Sequence, residues 1–154
     1  MKIVSFILAA VCMLAVAPAH AQRYSYSADG SEATDSQTGL IWRRCIEGLT
    51  WNGTTCAGDR LLFNQLEAQE RAKAKAGGWR LPSVKELSSI VDRSRISPAI
   101  DVVAFPGTPT SFSQTRTSTP NVTNVGSPMY IDFDDGFVGS SRHTSAYNVR
   151  LVKK

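Results

Sequence analysis

The run Trp79-Arg80-Leu81-Pro82-Ser83-Val84-Lys85-Glu86-Leu87, taken with the cysteine pair Cys45 and Cys56, constrains this chain more than any other feature. Trp79 and Leu81 read as a buried strand, and Pro82-Ser83 restarts the chain as a helix. Ser83 followed three residues later by Glu86 is a capping box, in which each side chain satisfies a backbone N–H at the helix start. Trp42, Trp79, Leu81, Pro82 and Leu87 are therefore expected in the framework of the fold and not at a reactive site. Arg80 lies between two large apolar residues, where burial is expected. A buried guanidinium must be paired or it costs several kcal/mol, and Asp35 and Glu86 are both candidate partners.

The N-terminal residues speak to compartment. Met1-Lys2 gives a positive start, and Phe6 to Ala17 is an apolar run of 12 residues. Ala19-His20-Ala21 then matches the small-x-small pattern that signal peptidase cuts. The run is too short to span a hydrocarbon core of about 30 Å. Residues 1–21 are expected to leave as a secretory signal, with one extracytoplasmic domain, not membrane-spanning, over 22–154. Removing 21 of the 154 residues leaves 133, enough to bury roughly two-thirds of the unfolded surface. Cys12 leaves with the signal, and the even pair that remains predicts one disulfide between Cys45 and Cys56. Two Cys and one remote His do not fill a zinc site.

After residue 21, 16 Lys and Arg face 13 Asp and Glu, a net charge of +3. The halves differ: Gln22 to Asp92 carries nine of each sign, and Arg93 to Lys154 carries seven basic against four acidic residues. That excess is too thin, and too poor in interleaved aromatics, for a nucleic-acid binder.

Tyr24 and Tyr26 alternate with small polar residues, as a first edge strand does. Ala33 to Trp42 reads as strand, turn, strand, with Asp35 bonding its own turn and Gly39 supplying a positive φ. Asn64 and Glu67 form a second capping box before the helix formers Ala68 to Ala76, and Gly77-Gly78 stop that helix. Ala68, Ala72 and Ala76 share one face. Val84, Leu87, Ile90 and Val91 make the apolar face of the second helix, down to about Asp92. Phe105 to Pro128, rich in Thr, Ser, Pro, Gly and Asn, reads as one long irregular loop, the kind of segment on which function concentrates. Asp134-Asp135-Gly136 is a hairpin turn, and Tyr147, Val149 and Leu151 fit a closing strand. Together these predict an α+β fold: two central helices and a small antiparallel sheet from N- and C-terminal strands.

Catalytic templates fail. His143 is the one histidine after the signal, and no nucleophile elbow, phosphate loop or dinucleotide fingerprint accompanies it. Asp132, Asp134 and Asp135 invite calcium, but the late Glu of a calcium loop is missing and a turn accounts for them. No cofactor and no metal are expected. The charge excess and the long loop instead suggest an anion-binding surface from Arg93, Arg95, Arg116 and Arg142, with Asn121 and Asn124 adding hydrogen bonds. Arginine suits sulfate or carboxylate because its planar fork bonds two oxygens at once.

Thr34-Asp35, Thr38-Gly39-Leu40-Ile41-Trp42, Cys45, Gly48, Trp51-Asn52-Gly53-Thr54-Thr55-Cys56 and Gly58 follow one another in a specific order. Trp79-Arg80-Leu81-Pro82, Lys85-Glu86-Leu87, Ile90-Val91, Phe105-Pro106, Phe133, Asp135-Gly136 and Val149-Arg150 continue it. In this combination the chain resembles the Lcl C-terminal domain family, named after the C-terminal domain of a collagen-like bacterial adhesin. The resemblance implies a compact C-type-lectin-like α+β domain outside the cytoplasm. For the namesake it implies a trimer that binds sulfated glycosaminoglycans. This chain has Phe112-Ser113-Gln114-Thr115 where members carry an aromatic Trp-Ser-Ser segment, and it lacks a collagen-like repeat. The Glu-Pro-Asn and Trp-Asn-Asp motifs of calcium-dependent lectins are also missing. The expected function is a non-enzymatic binding module for an anionic polysaccharide or an envelope protein. The alternative is a structural subunit of an envelope assembly, and a sulfatase-modifying type of enzyme ranks third because its reactive cysteine pattern is missing.

Overall fold

The computed structural model describes residues 22–154, so the expected signal segment and Cys12 lie outside the described residues. The chain is α+β. Its elements are β1 (Tyr24–Tyr26), β2 (Glu32–Asp35), β3 (Ile41–Arg43), β4 (Leu49–Trp51), β5 (Cys56–Gly58), α1 (Gln65–Lys73), α2 (Val84–Ser89), β6 (Gln114–Arg116), β7 (Met129–Asp132), β8 (Phe137–Ser140) and β9 (Val152–Lys153). Three antiparallel sheets replace the single one expected: β1-β2-β3-β9, β4-β5 and β6-β7-β8.

The first sheet joins both ends of the described chain, with Ile41 opposite Lys153 and Trp42 opposite Val152. Its β2–β3 turn follows the sequence reading. The Asp35 carboxylate accepts from the Gln37 N–H at 3.0 Å and the Thr38 hydroxyl at 2.9 Å, and Gly39 sits at φ 69°. Side chains alternate across a strand, so β3 serves two cores. Trp42 packs with Tyr24, Leu87, Ile90, Phe105 and Phe133 on one face. Ile41 packs with Ala68, Ala72, Trp79, Leu81, Val149 and Leu151 on the other. Each fully buried large apolar side chain contributes about 1.5–3 kcal/mol.

Both capping boxes form. Asn64 accepts from the Glu67 N–H while Glu67 accepts from the Asn64 N–H, and Ser83 and Glu86 do the same. The helices are shorter than expected. Ala68 and Ala72 are buried against the sheet, but α1 stops at Lys73 and Ala76 is exposed beyond it. The second helix ends at Ser89 and not near Asp92, because Val91 leaves it to bridge Ile100 and the Asp92 N–H bonds Ala99 O.

Two further expectations need correction. The stretch 105–128 is not one irregular loop: it contains β6, and Phe105, Ser113, Thr115, Arg116 and Thr117 are buried. Its hydroxyls bond backbone carbonyls, as in Thr117 Oγ1 to Met129 O at 2.8 Å, so a polar composition conceals an ordered segment. The closing strand is also shorter than read. Tyr147 makes an isolated bridge to Phe63, and only Val152–Lys153 form β9.

Candidate functional site

Cys45 and Cys56 are bonded, and the segment they close carries the β4–β5 hairpin with Trp51 opposite Cys56. The Asn52 side chain accepts from the N–H groups of Thr54 and Thr55 and so fixes the tip. A groove of about 410 Å³ opens beside this hairpin, lined by Asp29, Ser31, Arg43, Glu47, Trp51 and Lys75 among others.

Arg44, which the sequence reading did not single out, braces Trp51 in the groove's wall. It is buried between Tyr26 and Trp51, 4.2 and 3.9 Å from their ring centroids. It donates to Gly30 O at 2.7 Å, Val103 O at 2.8 Å and Ala104 O at 3.0 Å. Burial lowers its pKa, yet a guanidinium remains charged at neutral pH. This bracket holds the Trp51 ring in place.

The groove's charges are unequally matched. Arg71 Nε holds Glu47 Oε2 at 2.6 Å, so Lys75 Nζ, 3.5 Å from the same oxygen, is only partly neutralised. The Arg43 guanidinium stacks 4.6 Å from the Trp79 ring centroid, and no carboxylate among the described residues is ion-paired to it. Asp29 accepts from the Ser27 hydroxyl and from the Ser31 N–H and hydroxyl, which hold its pKa at about 2. Arg43, Lys75 and Arg71 thus face Asp29 and Glu47, one positive charge in surplus. An amphipathic aromatic ring beside donors and acceptors is what a hydroxyl-rich ligand with an acidic group needs.

The expected arginine surface does not come together. Arg116 is fully buried, its Nη2 bonding the carbonyls of Ser145 and Arg142 and its guanidinium over the Tyr147 ring. It is a tether between chain segments and cannot receive a ligand. Arg95 is paired with Asp92 at 2.9 Å. Arg93 is exposed next to the Gly136 turn. Arg142 is exposed beyond the far end of β8, six residues on, which is roughly 20 Å at strand spacing. Asn121 donates to Ser140 Oγ and accepts from Thr123, so its side chain is engaged, while Asn124 is exposed.

Arg80 also departs from expectation. Its side chain is 45% exposed and bonds Glu86 at 2.6 and 2.8 Å. The bonds from Arg80 and Ser83 hold the Glu86 pKa at about 2. Asp35 belongs to Arg23 instead, through bonds of 2.8 and 3.0 Å. Burial pushes Asp35 up, but Arg23, Gln37 and Thr38 together hold it below the usual carboxylate range. Arg150, which the sequence placed only in the family pattern, is buried over Phe105 and donates to the carbonyls of Arg43 and Arg44. Burial pulls its pKa down to about 9.

Among the described residues no group of three or more His, Cys, Asp or Glu side chains is placed to hold a metal ion. Asp132 accepts from Ser113 and Gln114, Asp134 from Ser97, and Asp135 from the Phe137 N–H. His143 is exposed, with Nδ1 3.3 Å from Gly126 O. No described helix is long and apolar enough to cross a membrane.

Comparison with family models matches residues 31–153 to the Lcl C-terminal domain. The comparison with curated proteins finds no match.

Proposed function

The chain belongs to the Lcl C-terminal domain family, and from that premise we propose that it is an exported, non-enzymatic binding module. It acts in the periplasm or at the cell surface and takes an anionic polysaccharide into the groove beside the disulfide hairpin. The carrying observation is Arg43, a half-buried guanidinium without a carboxylate partner, set in one groove with Lys75 and Trp51. Its fork can bond two oxygens of a sulfate or carboxylate, Lys75 adds a second cation, and Trp51 offers its apolar face to a sugar ring. The disulfide supports an oxidising compartment. A C-type-lectin-like relationship belongs to the same proposal, supported by the pairing of N- and C-terminal strands in one sheet.

The test is a panel of sulfated, carboxylated and neutral oligosaccharides presented to the exported protein, followed by salt elution from immobilised heparin. Acidic members should be retained, and Arg43→Gln with Lys75→Gln should weaken retention about tenfold, roughly 1.4 kcal/mol. Arg93→Gln should leave it unchanged. Failure to retain any acidic glycan, or wild-type elution of the double variant, overturns the proposal.

A further inference from the structure

We propose that the outer edge of β8 is a self-association surface, on which a second copy of this chain adds its own β8 antiparallel to form one continuous six-stranded sheet. The backbone pattern defines the edge. The β7–β8 register pairs Tyr130 with Gly139 and Asp132 with Phe137. Beyond the strands it continues through Ser141 N–H to Pro128 O and His143 N–H to Gly126 O. On the other side of β7, Thr117 N–H bonds Met129 O, so Met129 and Ile131 face β6 while Tyr130 and Asp132 face β8. Alternation along an antiparallel ladder then turns Phe137, Gly139 and Ser141 toward β7 and leaves the backbone groups of Val138 and Ser140 pointing outward. Among the described residues no strand meets them.

This edge carries no Lys or Pro guard, and only the Asn121 side chain, bonded to Ser140 Oγ, reaches its end. Natural sheets guard a free edge with Lys, Pro, a bulge or a covering segment, whereas β8 reads Phe-Val-Gly-Ser. Phe137 is 58% and Val138 37% exposed. Gly139 stays side-chain-free for a reason: a Cβ there would lie 2.5 Å from the Tyr130 ring, which covers it. The result is a flat, uncharged edge with an aromatic ring behind it.

Charge on either side of the strand selects the occupant. The turn before β8 carries Asp134 and Asp135, and the segment after it carries Arg142 and His143. None of the four makes an ion pair among the described residues. A two-fold axis through Gly139 sets Val138 opposite Ser140 of the second copy, which makes four outward-facing backbone hydrogen bonds. The same register brings the acidic turn Asp134-Asp135 just before β8 of one copy beside Arg142 and His143 just after β8 of the other. Because the pairing is antiparallel, the acidic end of each copy meets the basic end of the other, twice. An isologous interface requires that self-complementarity.

Sedimentation of the exported protein across a concentration series tests this. The wild type should shift reversibly from monomer to dimer. Arg142→Asp alone and Asp134→Arg alone should each weaken association about tenfold, roughly 1.4 kcal/mol, because each sets like charges against one another. The double variant Asp134→Arg, Arg142→Asp should restore it. Both positions are exposed, and Asp134 gives up only its bond from the Ser97 hydroxyl, so a cooperative melting curve for each variant confirms folded chains. A wild type that stays monomeric at every concentration overturns the proposal. So does a dimer that both single variants leave intact, which would place the interface elsewhere.

Discussion

Trp79 and Arg80 adjoin in sequence and separate in energy. Trp79 is buried between α1 and the first sheet, with Arg43 and Lys153 stacked on its ring. Trp79→Ala should cost about 3–5 kcal/mol, as large-to-small core changes do. Arg80 is about half exposed, and exposed ion pairs contribute no more than about 1 kcal/mol. Chemical denaturation of the two variants should show that gap; equal losses would mean that Arg80 carries hidden structural weight. Trp79 was legible because a bulky apolar residue beside a capped helix has few places to go. Arg80 was not, since apolar neighbours in sequence alternate faces in a strand and leave the middle residue pointing outward. The same alternation hid Arg150 in the opposite sense: it lies between buried Val149 and Leu151 yet is itself buried, because backbone carbonyls of Arg43 and Arg44 meet it there. Partners supplied from a hundred residues away leave no local signal.

At the scale of elements, short-range chemistry was readable and long-range pairing was not. Both capping boxes, the Asp35 turn and the Asp134-Asp135-Gly136 hairpin use partners within a few residues. The β4–β5 hairpin and β6 were missed because their residues are small and polar, and their order comes from the disulfide and from β7. The cap of α2 makes a pH prediction. Glu86, about 4.5 when free, titrates at about 2 in the fold because Arg80 and Ser83 donate to its carboxylate. A depressed carboxylate pKa contributes stability that is fully present above the free value and is lost as pH falls through the folded one. The loss should therefore run between pH 4.5 and about 2. Glu86→Gln should be less stable at neutral pH by about 1 kcal/mol and should show a shallower fall of melting temperature through that window. Asp29, Asp35 and Asp92 are also depressed and keep part of the slope. An unchanged slope in the variant would remove Glu86 as a contributor.

For the whole molecule, the disulfide and the shared sheet set the terms. The bridge between Cys45 and Cys56 closes a short loop, with a sequence separation of 11, and on the chain-entropy estimate contributes about 3 kcal/mol. Unreduced mass spectrometry of the purified protein should find both thiols in one mutual bridge, and reduction should lower the melting temperature and loosen the groove wall at Trp51. Two alkylatable thiols would contradict this. The α+β class was legible from the order of patterns along the chain. The groove was not, since Asp29, Arg43, Trp51 and Lys75 come from four separate segments that only the fold assembles.

The pairing of β3 with β9 also acts as a clock. Trp42 pairs with Ala33 at once but gains its second strand partner only when Val152 arrives, and Arg80 bridges that same residue. A chain delivered N-terminus first, from a ribosome or through a narrow channel, therefore keeps its first sheet one strand short and its Trp42 core uncovered until that late moment. Non-local closure of this kind slows folding. Under the export proposed above, the delay would work in favour of passage, because a chain that cannot finish folding early is still thread when the channel needs thread.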